Sequence, residues 1–467
     1  MEIRMKVLSG MQADAVHELN GDALASGEQV VADGDIELTY RGITLRLMPL
    51  LFICCVLNHI DRINIGYAQL QMRSELGFSA AVYGIGASMF YVGYLLFEIP
   101  SNLVMQRIGA RKTLLRIMLL WGLASTATLL VRTPMEFYIV RFLLGVFEAG
   151  FFPGVVLYLT FWYPPERRAR IIAMLMAAGV AAGMIAGPLS GWIIQNLNSL
   201  WGLKGWQWMF VLQGLPASLL GIIAYFYLTD QPEQATWLSE RQRQLVASHT
   251  ALVPHQTPAS GGGGIRGIWR LPSFFALGYL YFAISCGAYT LSFWLPEMIH
   301  GWGFSNVQEV GFYSLIPYSI GMLAMFWVAR RSDARRSHRQ SFVIATCVAA
   351  LGLAATACTT GSLWMSMTLV SAATAGVVSA FPVFWAIATS VLPKNVAAVG
   401  IAAITTLSGL AGVLCPASMG LLKTATGSTS IGLYVLAALL VSAGVVMSRL
   451  HGVDRALPST APSRRTT

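Results

Sequence analysis

The sequence predicts an all-α membrane protein of twelve transmembrane helices in two six-helix halves, and three observations predict it. Hydrophobic residues form 55% of the 467-residue chain and charged residues 11%, at a mean hydropathy of +0.62; a soluble domain carries about a quarter charged residues. Apolar runs of about 20 residues, the length a helix needs to cross the hydrocarbon core, recur between short loops that are basic or contain Gly and Pro. The cations, finally, fall mostly on alternate loops.

Spans are expected at about 45–72, 80–105, 113–131, 136–162, 169–196, 207–228, 272–298, 309–329, 341–359, 363–391, 397–422 and 430–450. The first half then covers 45–228 and the second 272–450, with a linker at 229–271 and tails at 1–44 and 451–467. A net charge of +10 would suit nucleic acid, but its distribution argues otherwise. Of 31 Lys and Arg, only Arg73, Arg132, Lys204 and Lys423 fall on one side, and Arg62 and Arg141 lie within spans. All the others belong to the opposite side. That is the positive-inside bias, which places both termini in the cytoplasm. The basic excess orients the chain in a lipid bilayer and implies no nucleic-acid partner.

Residues 1–40 carry no apolar signal segment, so the first span is expected to serve as an uncleaved membrane signal. Cys54, Cys55, Cys286, Cys347, Cys358 and Cys415 fall within predicted spans without a CxxC pair or a His cluster. They are read as buried small apolar residues, and no metal or cofactor is expected. In the linker, Thr229–Glu233 ends the sixth span, Trp237–Val246 suits a short surface helix, and Ala259–Gly264 is a flexible stretch. Two six-helix halves on such a joint suit a transporter that rocks about a midplane site.

Taken in order, the first span sets Asn58, His59, Asp61, Arg62 and Asn64 among apolar residues. A charge near the bilayer centre costs about 2.5 to 3.5 kcal/mol on insertion scales, so adjacent charges there need a reason. Transport of something polar supplies one; pairing that only holds helices together is the alternative. The second span ends in Phe97–Asn102, with Arg107, Arg111 and Lys112 in the loop that follows. In the fourth, Arg141 and Glu148 stand just under two turns apart and so share a face, with Gly145 leaving room between them. The fifth repeats Gly179, Gly183, Gly187 and Gly191 around Pro188, a stripe for close helix packing. Aromatics at Trp206, Trp208 and Phe210 open the sixth at the outer interface.

The second half offers rings and hydroxyls instead. No Lys, Arg, Asp or Glu falls in the core of its predicted spans; Glu297 and Glu309 sit at the outer ends of the seventh and eighth. Tyr279, Tyr281, Tyr289 and Phe293–Pro296 mark the seventh, Phe381–Trp385 the tenth, and Thr405, Thr406 and Ser408 the eleventh. Each of these suits packing as well as contact with a cargo.

The loop Arg107–Lys112 and its echo Ala329–Arg336 in the second half resemble the basic loops of the major facilitator superfamily. Asn58-x-x-Asp61-Arg62, Glu98–Asn102, Arg141 to Gly154, Tyr289 to Pro296 and Ile401 to Pro416 resemble its anion:cation symporter branch, which includes tartrate, hexuronate, phthalate and hydroxyphenylacetate permeases. The resemblance covers about 45–450 and implies the major facilitator fold in a bacterial inner membrane. By resemblance, Asp61 and Glu148 match the protonatable pair, with Arg62 and Arg141 as their partners. Arg141 leads for the substrate carboxylate, and Tyr289, Trp385 and Thr405 complete the binding set. Arg107, Arg111, Asp333 and Arg336 match loop positions that gate the cytoplasmic face. Thr405 and Gly409 stand where many bacterial members carry Asn.

Elementary chemistry points the same way. An anion entering a low-dielectric cavity needs an Arg, whose fork binds a carboxylate in bidentate fashion. Competition between that anion and a membrane acid for one Arg links proton binding to substrate binding. The expected function is proton symport of a small organic carboxylate, tartrate-like or aromatic, by a monomer. A drug/proton antiporter is the alternative, favoured by the glycines of the fifth span. An enzyme would need a nucleophile–base or metal set; His59 and His300 have no repeated His/Asp spacing around them.

Overall fold

A computed structural model describes residues 35–251, 272–304, 306–359, 362–392 and 397–450. Among them, twelve helices are long and apolar enough to cross a membrane. They are α1 (Asp35–Leu76), α2 (Ala80–Met105), α3 (Ala110–Leu130), α4 (Pro134–Trp162), α5 (Glu166–Asn196), α6 (Gly205–Tyr227), α7 (Ser273–Gly301), α8 (Val307–Arg335), α9 (His338–Cys358), α10 (Leu363–Val391), α11 (Ala403–Thr426) and α12 (Ser430–Arg449). Local chemistry sets several of their ends. Ser79 accepts the N–H of Val82 ahead of α2, and Thr133 and Glu136 form a reciprocal capping box around Pro134 at the start of α4.

The first helix starts well ahead of residue 45. Tyr40, Ile43 and Leu47 are buried, and ion pairs from Glu37 to Arg167 (2.8 Å) and Asp35 to Arg241 (2.9 Å) hold its polar first turn. Arg241 belongs to the linker helix Glu240–Ala251, which begins later than the expected Trp237. Trp237 instead stacks on Trp162 (5.5 Å, 12°), and Arg46 lies 4.8 Å from the ring centres of both Tyr227 and Trp237. This part of the linker is docked on the first half. The stretch Ala259–Gly264 and the tails 1–34 and 451–467 lie outside the described residues.

The halves meet where α2 packs on α11, α5 on α8, and the end of α1 on α7. Small residues permit this: a Cβ at Gly84 would strike the Pro416 carbonyl, and one at Gly187 that of Gly311. The glycine stripe of α5 is therefore a packing surface, with Gly179 against the His59 ring, Gly183 against Tyr318 and Gly191 against Val307. Polar contacts between the halves gather at the ends away from the basic loops. Gln69 and the Tyr83 hydroxyl both donate to the Phe293 carbonyl (2.9 and 3.1 Å), Ala81 N–H donates to Thr424 Oγ1 (2.8 Å), and Ala417 N–H to Ser88 Oγ (3.0 Å). Glu297 joins the two, accepting Arg73 from the first half (3.0 Å) and Lys423 from its own.

Two expectations need correction. Cys54, Cys55 and Cys286 are buried, but Cys358 is exposed at the end of α9, 3.0 Å from the Tyr434 hydroxyl. Trp206 and Phe210 are buried within the bundle rather than facing an interface, and Gln207 beside Trp206 donates to the Leu129 carbonyl at 2.7 Å.

Candidate functional site

One helix of the first half is interrupted beside its charges and another is locally irregular there. In α1 the backbone stays helical at Asn64 (φ −55°, ψ −34°), whose carbonyl accepts N–H bonds from both Tyr67 and Ala68 (2.9 and 3.0 Å). In α4 the helix breaks after Glu148: Gly150 adopts φ +84°, and a new helical segment starts at Phe151. Only Gly takes that conformation at no steric cost, and a Cβ there would press on Ser101 at 2.8 Å. Sequence periodicity alone runs α4 through this point as one helix.

The break and Gly145 decide the pairing. A Cβ at Gly145 would strike the Phe90 carbonyl, so its absence lets α2 approach α4 and lay Phe90 beside Arg141, 5.2 Å from guanidinium to ring centre. Glu148 pairs across helices instead. Its Oε1 accepts Arg62 Nε–H at 2.5 Å and Asn58 Nδ2–H at 2.8 Å. Asp61 Oδ1 accepts the Ser125 hydroxyl at 2.5 Å and Asn64 Nδ2–H at 3.1 Å. The shared face of Arg141 and Glu148 thus produces no hydrogen bond between them.

Arg141 is fully buried, and its Nε, Nη1 and Nη2 have no hydrogen-bond partner among the described residues. One oxygen of each acid, Asp61 Oδ2 and Glu148 Oε2, is likewise without one. A buried guanidinium with all its donors unengaged is costly. It suits a ligand that brings two acceptors, such as a carboxylate. His59 Nδ1 is engaged with the Cys55 carbonyl at 2.8 Å, a local helix contact.

Aromatic rings surround these charges. Arg62 lies over Tyr94 (4.9 Å) and Phe90 (5.5 Å). Tyr91 meets Tyr289 of the second half edge-on at 4.8 Å. The structure therefore brings Asp61, Arg62, Arg141 and Glu148 into one group and joins Tyr289 to it through Tyr91 and Phe90, whose rings are 5.0 Å apart. Trp385 belongs to a second ring cluster with Tyr281 (5.0 Å) and Phe384 (5.3 Å). Thr405 is exposed on α11, one turn before Gly409, whose missing Cβ would meet Leu95 of α2. Phe90, Tyr91, Tyr94 and Ser125 escaped the sequence reading. Nothing in their spacing separates them from packing residues.

At the basic loops, Arg111 donates its backbone N–H to Asp230 Oδ1 (2.8 Å) and its guanidinium to the Tyr225 carbonyl (2.9 and 2.7 Å). The acid that the loop itself lacks is thus supplied from beyond the end of α6. It sits against Gly109 at φ +86°, where a Cβ would lie 3.1 Å from the carboxylate. These contacts stay within the first half. Arg107 is exposed; Asp333 is exposed 3.8 Å from His338 Nδ1, and Arg336 closes α8 in a left-handed conformation, φ +50°.

A family profile for the Major Facilitator Superfamily matches residues 51–416. Over 424 residues the chain is 41% identical to a protein of Agrobacterium vitis named "Putative tartrate transporter", covering 90% of this chain and 93% of that one. It is 38% identical to the Pseudomonas putida "Putative metabolite transport protein NicT" (88% and 93% covered) and 36% identical to the Acinetobacter baumannii "Quinolone resistance transporter" (86% and 92%). The crystal structure of the D-xylose-proton symporter superposes at a TM-score of 0.72 with 14% identity, over 88% of this chain and 99% of that one. A bacterial homolog of the human lysosomal transporter Spinster, inward-facing and occupied, gives 0.68 at 16% identity over 89% and 96%. At such identities the structural likeness speaks for the fold alone.

Proposed function

The chain belongs to the major facilitator superfamily, and on that premise we propose that it imports a small organic carboxylate by proton symport through alternating access. The observation that carries this reading is Arg141, fully buried with every guanidinium nitrogen unengaged. In the proposed cycle the substrate carboxylate takes the Arg141 fork, and Tyr289 and Trp385 face the rest of the molecule. Thr405 supplies a hydroxyl from α11. Glu148 and Asp61 carry the protons. Protonation of Glu148 weakens its hold on Arg62, so a second guanidinium becomes available as the proton binds, which couples the two ligands. Arg107, Arg111, Asp333 and Arg336 act at the basic-loop face as helix-end anchors of the gate. The protein works as a monomer in a bacterial inner membrane with both termini in the cytoplasm, the orientation that the positive-inside rule supports.

The relative named for tartrate supports a carboxylate cargo, and the relative named for quinolone resistance supports drug export as a second reading. The buried charges favour the first. Each acid already accepts two hydrogen bonds on one of its oxygens, and of the four charged groups the Arg141 cation alone has no hydrogen-bond partner among the described residues, which disfavours cationic drugs. Thermal shift of the purified protein with sugar acids, tartrate, phthalate and hydroxyphenylacetate tests it, since a ligand bound only by the native state raises the melting temperature. Stabilisation by at least one acid, lost in Arg141→Lys, is expected. Stabilisation by cationic drugs and by none of the acids would remove the carboxylate reading.

A further inference from the structure

Away from the central charges, the second half carries a cleft in its side. α8 and α9 each pack along α10 but touch one another little, and the gap between them is a cavity of about 360 Å³. Small residues, Ala345, Ala375 and Gly376, line its floor. Its walls are apolar and open outward: Trp327 on α8 and Ile344 on α9 are each 62% exposed. At one end stands Arg331, exposed, with its guanidinium 5.3 Å from the centre of the Trp327 ring.

Position and charge identify the occupant. The lining runs from Ala324 to Arg331 along α8 and from Ser341 to Val348 along α9, about 10 Å at 1.5 Å per residue. That fits within one leaflet's hydrocarbon, about 15 Å. Arg331 lies in the basic run Ala329–Arg336, beside the exposed Arg330 and Arg335, on the side that the positive-inside rule makes cytoplasmic. A narrow apolar cleft of leaflet depth that ends on cations matches a lipid tail with an anionic head; basic pockets between helices on the cytoplasmic side hold such lipids. We propose that this cleft binds an anionic glycerophospholipid of the cytoplasmic leaflet, one acyl chain lying between α8 and α9 and the phosphate on Arg331. The bound chain fills a seam between two helices that touch directly near Ser332 and His338 and are otherwise joined mainly through α10.

Native mass spectrometry of the full-length protein, equilibrated with equimolar phosphatidylglycerol and phosphatidylcholine, tests the proposal. The wild type should retain phosphatidylglycerol over phosphatidylcholine by about fivefold, the factor for one cation at an anionic surface. Arg331→Gln should erase that preference while Arg331→Lys keeps it. Ala324→Phe fills the cleft and leaves the cations in place, and it should lose the bound lipid itself. Retention that ignores the head group in the wild type overturns the proposal. So does a preference unchanged in Arg331→Gln, where the exposed position leaves folding intact. Displacement of the lipid by inorganic phosphate alone would show a site for the head-group anion without the acyl chain, and would equally overturn it.

Discussion

In the first half, Asp61, Arg62, Arg141 and Glu148 lie inside membrane-crossing helices, all but Arg62 essentially without exposure; in the second, α7 and α10 present Tyr281, Tyr289, Phe384 and Trp385, and the acid Glu297 stays at the outer end of α7. The backbone follows this division. α4 is interrupted beside its charges, at Ala149–Gly150, and α1 is irregular in its hydrogen bonds at Asn64, whereas α7, α8, α10 and α11 run through unbroken. A ring gains from burial and needs at most one partner, for its hydroxyl or indole N–H. A buried charge requires several donors or acceptors at fixed positions, and a break in a helix lets neighbouring elements supply them. The first half holds the buried charges and the second the ring clusters.

The comparison can be broken most decisively at the acids. If protons travel on the first half, Asp61→Asn and Glu148→Gln should each abolish accumulation driven by an inward proton gradient in proteoliposomes, where one coupled proton supports about tenfold concentration per pH unit. Counterflow with substrate on both sides should persist. Full gradient-driven accumulation in both variants would take the coupling out of this half.

Next in size is Arg141→Lys. It keeps the charge and loses the fork, and charge-assisted hydrogen bonds are worth about 1.5 to 3 kcal/mol, so calorimetry should show substrate affinity lower by roughly ten- to a hundredfold. Unchanged affinity would mean that the buried guanidinium serves the fold only.

A smaller effect is expected at Glu297, which holds Arg73 across the halves. Glu297→Gln should loosen the outer ends, raising the labelling rate of a cysteine placed at Ser88 several-fold, yet leave proton coupling in place. Lost coupling would put a working acid in the second half and end the division drawn above. The mildest change belongs to the rings: Trp385→Ala and Tyr289→Phe should shift the preference among acids several-fold in competition uptake. Equal losses for every acid would make both residues packing elements.

Much of this was legible without coordinates because membrane insertion leaves strong marks on a sequence. Hydrocarbon tolerates neither unpaired backbone nor stray charge. Twelve apolar runs and the sided cations therefore announce the fold class, and the charged residues of the first and fourth spans mark a candidate site. The role of the α5 glycines as a packing surface was legible for a similar reason, since four small residues at fourfold spacing make one face.

What the sequence could not decide was who meets whom. Helical spacing places Arg141 and Glu148 on one face, yet Glu148 binds Arg62 and Asn58 of α1, and Asp61 binds Ser125 of α3. Those partners come from other helices, and their positions depend on how close the helices approach. That distance is set by Gly145, which brings Phe90 against α4, and by the left-handed turn at Gly150. The acid for Arg111 likewise comes from Asp230, far along the chain. Periodicity reports which face of a helix is apolar, because that depends on neighbours three and four residues away; the identity of a partner across a helix interface is a property of the packed bundle, and only the tertiary structure contains it.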